Sequence, residues 1–331
     1  MPKYSIIVPV YNRPDEVDEL LDSLQSQTYK DFEVVVVEDG STVDCKWVVE
    51  KYESDLDIHY LVKENGGQGF ARNYGYERAK GEYLIVFDSD CLIPPHYLAS
   101  VDSYLQAQPV DAYGGPDAAH ESFNTTQKAI NHVMTSLFTT GGIRGNKKHI
   151  GQYHPRSFNM GISRRVWEET KGYIIPFMGE DMEFSTRIIN SGFNTALIPG
   201  AFVYHKRRTD LRKFFKQLKY FGRARINLSR FHKGQVGIIH LFPTVFSLGL
   251  IVSLILASLL EPLGFLGLGC YAVYFTMLSL EGLFKTKSIG VALLAPLAGL
   301  LQLTGYGYGL VYEWIRKLRG IDPNTKYIEL Y

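Results

Sequence analysis

The chain has 331 residues, 46% of them hydrophobic, so it can bury one sizeable core and still supply a second unit. Its formal net charge of +1 gives no overall electrostatic case for binding nucleic acid. The three cysteines, Cys45, Cys91 and Cys270, form no CxxC pair, which argues against a disulfide framework or a zinc site and favours a reducing compartment. The first apolar run reaches Pro9 too soon for a signal peptide, so the catalytic portion is expected in the cytoplasm.

The first 90 residues alternate between strand and helix patterns. Strands are predicted at 4–10, 32–37, 58–62 and 83–88, and helices at 15–27, 46–52 and from the glycine-rich loop 65–69 to residue 79. This alternation predicts an α/β fold with a mostly parallel, doubly wound sheet. Ligands of such sheets bind at the carboxyl ends of the strands.

Polar side chains follow three of these predicted strands. Tyr11-Asn12 ends the first strand, Glu38-Asp39 the second, and Asp88-Ser89-Asp90 the fourth. Two carboxylates at a strand end are hard oxygen ligands that suit Mg²⁺ or Mn²⁺ carrying a diphosphate. Taken alone, Asp-Ser-Asp is more typical of a polar turn, and the glycine loop could simply open a helix.

The next stretch, from Gly114 to about Tyr153, has few clean periodicities. It contains the basic segment 141–149, predicted either as a mobile loop near the active site or as an ordinary surface loop. A strand is predicted at 156–161, and a helix with an acidic first turn follows Gly179, where the helix dipole stabilises negative charge. A last strand pair, 195–199 and 201–205, ends in a histidine.

Together these motifs resemble the family-2 glycosyltransferases, inverting enzymes of GT-A fold that use nucleotide-diphosphate sugars. The resemblance covers roughly residues 4–225 and rests on Ser5-Ile6-Ile7-Val8-Pro9-Val10-Tyr11-Asn12, Glu38-Asp39, Asn65…Gly69…Ala71-Arg72-Asn73, Asp88-Ser89-Asp90 and Glu180-Asp181. It implies a UDP-sugar as the expected donor, with Asp39 meeting the base. The donor-binding residues that it implies are Pro9, Tyr11, Asn12, Glu38, Asp39, Gly69, Arg72, Asp88 and Asn159.

The resemblance also implies the catalytic and metal-binding roles. Asp181 matches the general base that deprotonates the acceptor hydroxyl, and Glu180 matches a residue that orients the acceptor. Asp88 or Asp90 would hold the metal, with His205 as a third metal or diphosphate contact.

A basic segment and three apolar runs fill the rest of the chain. Residues 206–238 carry many lysines and arginines interleaved with aromatic residues, which predicts an amphipathic membrane-surface helix rather than a nucleic-acid site. The apolar runs at 240–260, 263–280 and 289–311 are long enough to span a bilayer. The positive-inside rule places the basic segment in the cytoplasm. The third run either crosses fully or forms a re-entrant hairpin, broken near Pro296 or at the glycine-tyrosine run 305–309.

The resemblance implies a GT-A domain at 1–225. The charge and hydropathy patterns predict a basic juxtamembrane segment at 206–238, a transmembrane region at 239–315 and a short tail at 316–331. The predicted protein is a metal-dependent inverting glycosyltransferase of the cytoplasmic membrane, multi-pass, with its active site in the cytoplasm. It would transfer a sugar to a hydroxyl of a lipid-linked saccharide or glycolipid in envelope polysaccharide synthesis.

Four alternatives remain. A polyprenyl-phosphate glycosyltransferase would need no base, because its acceptor is already anionic. A processive polysaccharide synthase would carry Gln-x-x-Arg-Trp, whereas Gln217-Leu218-Lys219-Tyr220 lacks the Arg and Trp, although Arg223 or Arg225 could still contact the diphosphate. A dinucleotide-binding oxidoreductase would place its glycine loop after the first strand. A membrane scaffold without catalysis would give no reason for carboxylates at the strand ends.

Overall fold

The computed structural model describes residues 1–118, 123–140, 153–206 and 208–321. The predicted loop at 141–149 and residues 322–331 of the predicted tail lie outside the described residues. Two compact units make up the chain. Within the described residues, the first comprises Met1–Ala118 and 153–205, and the second comprises 123–140, 206 and 208–321.

A mixed sheet of seven strands forms the centre of the first unit. Its strands are β1 (Tyr4–Val10), β2 (Phe32–Asp39), β3 (Ile58–Lys63), β4 (Tyr83–Phe87), β6 (Ala112–Gly114), β8 (Asn159–Ser163) and β9 (Thr195–Leu197). They lie in the order β3-β2-β1-β4-β8-β6-β9. The first four strands are mutually parallel, as expected, whereas β8 runs antiparallel to both of its neighbours.

A second, three-stranded sheet contains β5 (Cys91–Leu92), β7 (Asp117–Ala118) and β10 (Val203–His205), in the order β5-β10-β7. The expected last strand pair is therefore divided between the two sheets, because β9 pairs with β6 and β10 pairs with β5 and β7. This pairing places the end of β10 beside the segment that follows β4.

Helices cover the large sheet, and β1 and β2 are almost entirely buried. These helices are α1 (Pro14–Gln25), α2 (Lys46–Tyr52), α3 (Gln68–Arg78), α4 (Tyr97–Ala107), α7 (Arg164–Thr170) and α8 (Glu180–Asn190). Because successive strand residues point to opposite faces, Ile6 and Val8 belong to one apolar cluster and Ile7 to another. Burial on both faces explains the continuous apolar runs of these strands.

The second unit is helical. It contains α5 (Thr125–Thr135), α6 (Leu137–Thr140), α9 (Leu211–Phe231), α10 (Phe242–Ser258), α11 (Pro262–Thr286) and α12 (Ile289–Leu318). Helix α5 lies in the stretch where the sequence suggested little regular structure, and its start is fixed by a capping box between Asn124 and Gln127. Three helices, Ile238–Ser258, Pro262–Thr286 and Ile289–Leu318, are long and apolar enough to cross a membrane.

Helix α12 is continuous through Pro296 and does not form the re-entrant hairpin that the sequence allowed. Near its start, the carbonyl of Ala292 accepts a hydrogen bond from Ser279 near the end of α11, at 2.6 Å. Further along, a Cβ added to Gly307 would lie 2.8 Å from the carbonyl oxygen of Pro243, at the start of α10. Helices α10 and α11 form an antiparallel hairpin, with Phe246 against Tyr271. Helix α12 therefore crosses one end of this hairpin instead of following its length.

Glycines allow α12 to approach the basic helix α9 closely. A Cβ on Gly222 would lie 2.1 Å from the carbonyl oxygen of Tyr306, and one on Gly309 would lie 2.0 Å from that of Lys219. Side chains at these positions would collide with backbone, so the two helices can pack in this way only with glycine there.

Candidate active site

The carboxyl ends of β1, β2 and β4 meet at one edge of the large sheet. Directly after β1, Asn12 adopts a positive φ of 54°. Its Oδ1 accepts hydrogen bonds from the backbone nitrogens of Thr42 and Val43, both at 2.9 Å. Asn12 thereby fixes the loop that follows β2. Pro9 and Tyr11 lie beside it and are partly exposed.

The carboxylate of Glu38 is buried and bound within the protein. It accepts hydrogen bonds from the backbone nitrogen of Cys45 at 3.0 Å, from Tyr60 at 3.3 Å and from Ser41. These contacts hold the loop between β2 and α2. The predicted contact of Glu38 with a nucleoside stays a prediction, and the structure gives this residue a supporting position.

Asp39 holds the glycine-rich loop in place. Its Oδ1 accepts hydrogen bonds from Lys63 Nζ at 2.6 Å and from the Gly66 nitrogen at 2.9 Å, and its Oδ2 accepts one from the Gly67 nitrogen at 2.8 Å. The residue expected to meet the base is thus oriented by the loop that precedes α3.

The glycine loop needs its glycines because it packs directly against residues 175–177. Gly67 has a φ of 94°, and a Cβ there would lie 2.5 Å from the ring of Phe177. A Cβ on Gly69 would lie 2.4 Å from the carbonyl oxygen of Ile175. The backbone nitrogen of Gly69 donates to the carbonyl of Pro176 at 3.0 Å. Gly69, expected near the nucleotide, therefore has a packing reason to be glycine.

Arg72 on α3 connects two parts of the site. It is 1% exposed, and its NH2 donates to Asp88 Oδ1 at 2.8 Å while its NH1 donates to Glu180 Oε1 at 3.1 Å. Gln68 donates to the same oxygen of Glu180. Burial by itself would lower the pKa of Arg72, but Tyr173, Asp88 and Glu180 outweigh it and raise that pKa. A permanently charged guanidinium therefore holds the end of β4 to the start of α8.

A turn with strained backbone directly precedes the two acidic residues that begin α8. Met178 and Gly179 both have positive φ, 64° and 92°. A positive φ costs energy for a residue with a Cβ, and such strain is commonly found at functional sites. Burial and the neighbouring Asp181 raise the pKa of Glu180 to about 7, and Arg72 opposes this shift. Glu180 is thus able to change protonation state near neutral pH.

Asp181 is more accessible than Glu180. Its Oδ2 accepts a hydrogen bond from Arg156 at 3.1 Å, and its Oδ1 accepts one from the backbone nitrogen of Met182 at 2.8 Å. About a fifth of the Asp181 side chain, 21%, is exposed. The sequence suggested no role for Arg156, because nothing in the local pattern links the start of β8 to α8.

The small sheet brings His205 to Asp90. Because β10 pairs with β5, His205 lies opposite Cys91, and its Nε2 is 3.1 Å from Asp90 Oδ1. The ring of Phe158 stacks on His205 at 5.0 Å. Burial raises the pKa of the Cys91 thiol well above its usual value, so this sulfur stays protonated and does not supply a thiolate. A carboxylate and an imidazole are left as donors, and this mixed oxygen and nitrogen set suits Mn²⁺ better than Mg²⁺, which prefers oxygen ligands.

Two predicted donor-binding residues have other partners in the structure. Asn159 is fully buried, accepts from Tyr97 at 2.5 Å and donates to the Ala201 carbonyl at 2.7 Å. Arg223 belongs to the second unit, where its Nε lies 3.0 Å from Glu313 Oε2. Their contacts with a donor stay predictions.

Known proteins are similar in sequence to part of the chain. A family model described as glycosyl transferase family 2 matches residues 5–171. An uncharacterized glycosyltransferase of Rickettsia felis is 32% identical over 137 residues, 41% of this chain and 22% of that protein. The poly(ribitol-phosphate) β-N-acetylglucosaminyltransferase TarS of Staphylococcus aureus is 38% identical over 109 residues, 32% of this chain and 19% of TarS. The aligned segments thus span about a fifth of the length of these two relatives.

Solved structures are similar to the chain at lower identity. The mannosyltransferase PcManGT of Pyrobaculum calidifontis, solved with GDP-Man and Mn²⁺, superposes with a TM-score of 0.58 at 18% identity, covering 97% of this chain and 88% of that one. Residues 1–349 of S. aureus TarS, solved with UDP-GlcNAc, give a TM-score of 0.50 at 16% identity, covering 97% and 93%. At these identities the likeness shows the fold.

The raised pKa of Glu180 predicts how stability depends on pH. A carboxyl with a higher pKa in the folded chain binds its proton more tightly when folded. Its stabilising contribution is therefore complete below about pH 4.5 and is lost as the pH rises through about 7. We expect the Tm of Glu180→Gln, measured relative to the unmodified chain, to rise by roughly 5 °C between pH 5 and pH 8.

Thermal unfolding across this pH range measures the difference. Glu168→Gln, at an exposed position of α7, controls for the loss of a carboxylate. A difference in Tm that stays constant, or falls as the pH rises, would contradict the raised pKa.

Proposed function

The chain belongs to glycosyl transferase family 2, and from this membership we propose that it is a metal-dependent, inverting glycosyltransferase acting at a membrane. It is a glycosyltransferase, and its first unit has the GT-A fold. The observation that best supports the metal-dependent, inverting mechanism is the pair of ion pairs made by Arg72. They join Asp88, on the proposed donor side, to Glu180, which lies beside the candidate base.

A nucleotide-diphosphate sugar is the proposed donor, with a UDP-sugar expected first. Asp39, with its carboxylate already fixed by the glycine loop, would bind the base. The partly exposed Pro9 and Tyr11 and the exposed Asn12 would line the same edge. PcManGT is described with GDP-Man and TarS with UDP-GlcNAc, which supports a nucleotide sugar and leaves the nucleotide to experiment.

Asp90 and His205 are the proposed metal-binding pair, with Mn²⁺ or Mg²⁺ as the ion. Asp88 is held by Arg72, so Asp90 is the aspartate of this motif that we assign to direct coordination. A bound divalent cation would offset the negative charge that develops on the departing diphosphate.

Asp181 is the proposed general base. Arg156 orients its carboxylate, and the remaining exposure leaves room for an acceptor hydroxyl. As the acceptor oxygen bonds to the anomeric carbon, the bond from that carbon to the diphosphate breaks on the opposite face. The hydroxyl proton passes to Asp181, and the configuration inverts. Glu180, buried beside Arg72, would position the acceptor through this network.

The proposed acceptor is a hydroxyl of a lipid-linked saccharide or glycolipid, as in envelope polysaccharide synthesis. Support comes from the second unit, where α10 and α11 present many exposed large apolar side chains, as expected of a hairpin in lipid. We infer that this hairpin spans the cytoplasmic membrane, with the basic helix α9 on the cytoplasmic side. Helix α12 then lies in the interface on that same side, because it crosses the end of the hairpin where α10 begins.

The proposed base is tested by Asp181→Asn. The amide keeps the shape of the side chain but cannot accept a proton, so transfer should fall by about 10³-fold while donor binding changes little. Transfer is measured with a panel of nucleotide sugars on membrane extract. Asp57→Asn, at the amino end of β3, is the matched control. A retained transfer rate would contradict the base and favour a polyprenyl-phosphate acceptor.

The proposed metal pair is tested by Asp90→Asn and His205→Gln. Each removes a ligand, so the affinity for the donor in the presence of Mn²⁺ should fall at least about tenfold, with little change in binding under EDTA. Calorimetric titrations with UDP-sugars and GDP-mannose measure this, with Asp22→Asn at an exposed position of α1 as control. Unchanged Mn²⁺-dependent binding in both variants would remove the assignment.

The topology is tested by cysteine labelling in a Cys270→Ser background, which removes the exposed native cysteine. If α12 lies in the interface, Arg319→Cys should react with a membrane-impermeant maleimide from the cytoplasmic side, together with Lys213→Cys on α9. Glu261→Cys, between α10 and α11, should react from the opposite side. If Arg319→Cys instead reacted from the same side of the membrane as Glu261→Cys, α12 would have to cross the membrane.

A further inference from the structure

Three arginines surround one buried carboxylate where α9 packs on α12. Glu313 is fully buried. Its Oε2 lies 3.0 Å from Arg223 Nε and 3.6 Å from Arg316 Nε, and its Oε1 lies 3.1 Å from an NH2 of Arg230. We call these four residues the guanidinium cluster. Within these four residues, three positive charges face one negative charge.

The positive charge of the three arginines is held mostly out of water. The side chains of Arg223, Arg230 and Arg316 are only 15%, 19% and 13% exposed. The Nε atoms of Arg230 and Arg316 are buried and make no hydrogen bond within the described residues. Concentrating cations in partly desolvated space is costly, and a multivalent anion would reduce that cost.

An aromatic residue adds to this positive surface. The ring of Tyr312 lies beneath Lys219, Arg223 and Arg316, at 5.1, 5.2 and 5.8 Å from its centroid. Trp314 and Tyr308 are about half exposed next to it. Tyrosine and tryptophan beside arginine and lysine are typical of the level where lipid headgroups meet water.

The exposed face of α12 also suits the level where lipid headgroups meet water. Its exposed apolar side chains form two groups on one side of the helix, Leu293 with Leu297 near the start and Tyr308, Val311, Ile315 and Leu318 nearer the end. The opposite face is buried in the second unit. A helix with an apolar face beside a row of cationic side chains is typical of helices that lie in the plane of a membrane surface.

We propose that the guanidinium cluster is a binding site for the phosphate group of an anionic lipid. The guanidinium forks of Arg230 and Arg316 would bind the phosphate oxygens, and the apolar face of α12 would contact the acyl chains. Basic pockets between membrane helices bind such headgroups. The inference rests on the membrane association proposed above, but not on the identity of donor or acceptor.

The test uses the full chain in detergent, titrated with dioctanoyl phosphatidic acid, dioctanoyl phosphatidylcholine and inorganic pyrophosphate. We expect saturable binding of phosphatidic acid, with Kd raised about fivefold in Arg230→Gln and in Arg316→Gln. Arg316→Lys keeps the charge but loses the planar fork, so its Kd should lie between that of the unmodified chain and that of Arg316→Gln. Arg319→Gln, an exposed change of equal charge on the same helix end, should leave Kd unchanged.

Three outcomes would overturn the proposal. Equal weakening by Arg319→Gln would mean non-specific attraction to a basic surface. Pyrophosphate binding as tightly as phosphatidic acid would mean a soluble anion instead of a lipid. Unchanged Kd in both Arg230→Gln and Arg316→Gln would mean that these residues serve only helix packing. Donor binding, measured on the same variants, is a separate readout, so loss of the lipid site is distinguishable from failure of the proposed transferase activity.

Discussion

The candidate active site depends on the ion pairs made by the buried guanidinium of Arg72. Two carboxylates from distant parts of the chain converge on it, Asp88 at the end of β4 and Glu180 at the start of α8. Removing one partner of a buried ionic group leaves a charge without compensation, at a cost of several kcal/mol. Arg72 thus sets the geometry of both sides of the site, and the strained turn at Met178 and Gly179 is held by the same network.

The sequence predicted the fold of the first unit and the edge of the sheet where the candidate residues gather. That was possible because strand and helix periodicities are local, and parallel strands bring their carboxyl ends to one edge. The same reasoning could not show that Glu38 turns inward to hold a loop, or that Arg156 reaches Asp181. Those contacts depend on side-chain direction and on pairing between distant segments, and neither produces a periodic pattern in the sequence.

The second unit shows the same division between what is local and what is not. Length and hydropathy identified three apolar segments, and the structure has three helices there. Hydropathy measures how much apolar surface a segment has, but it does not measure the direction in which the segment runs. The course of α12 is determined by close contacts at Gly307 and Gly309 and by the buried Glu313, which a hydropathy window averages away.

The pairing of β5 with β10 joins residues that are far apart along the chain, since Asp90 and His205 are separated by 115 positions (205 − 90). During synthesis on a ribosome, the nascent sheet β1–β4 can form long before β10 has emerged. The Asp90–His205 pair is therefore one of the last features of the first unit to assemble, and the growing polypeptide lacks this proposed metal-binding pair until the segment leading directly into α9 has left the exit tunnel.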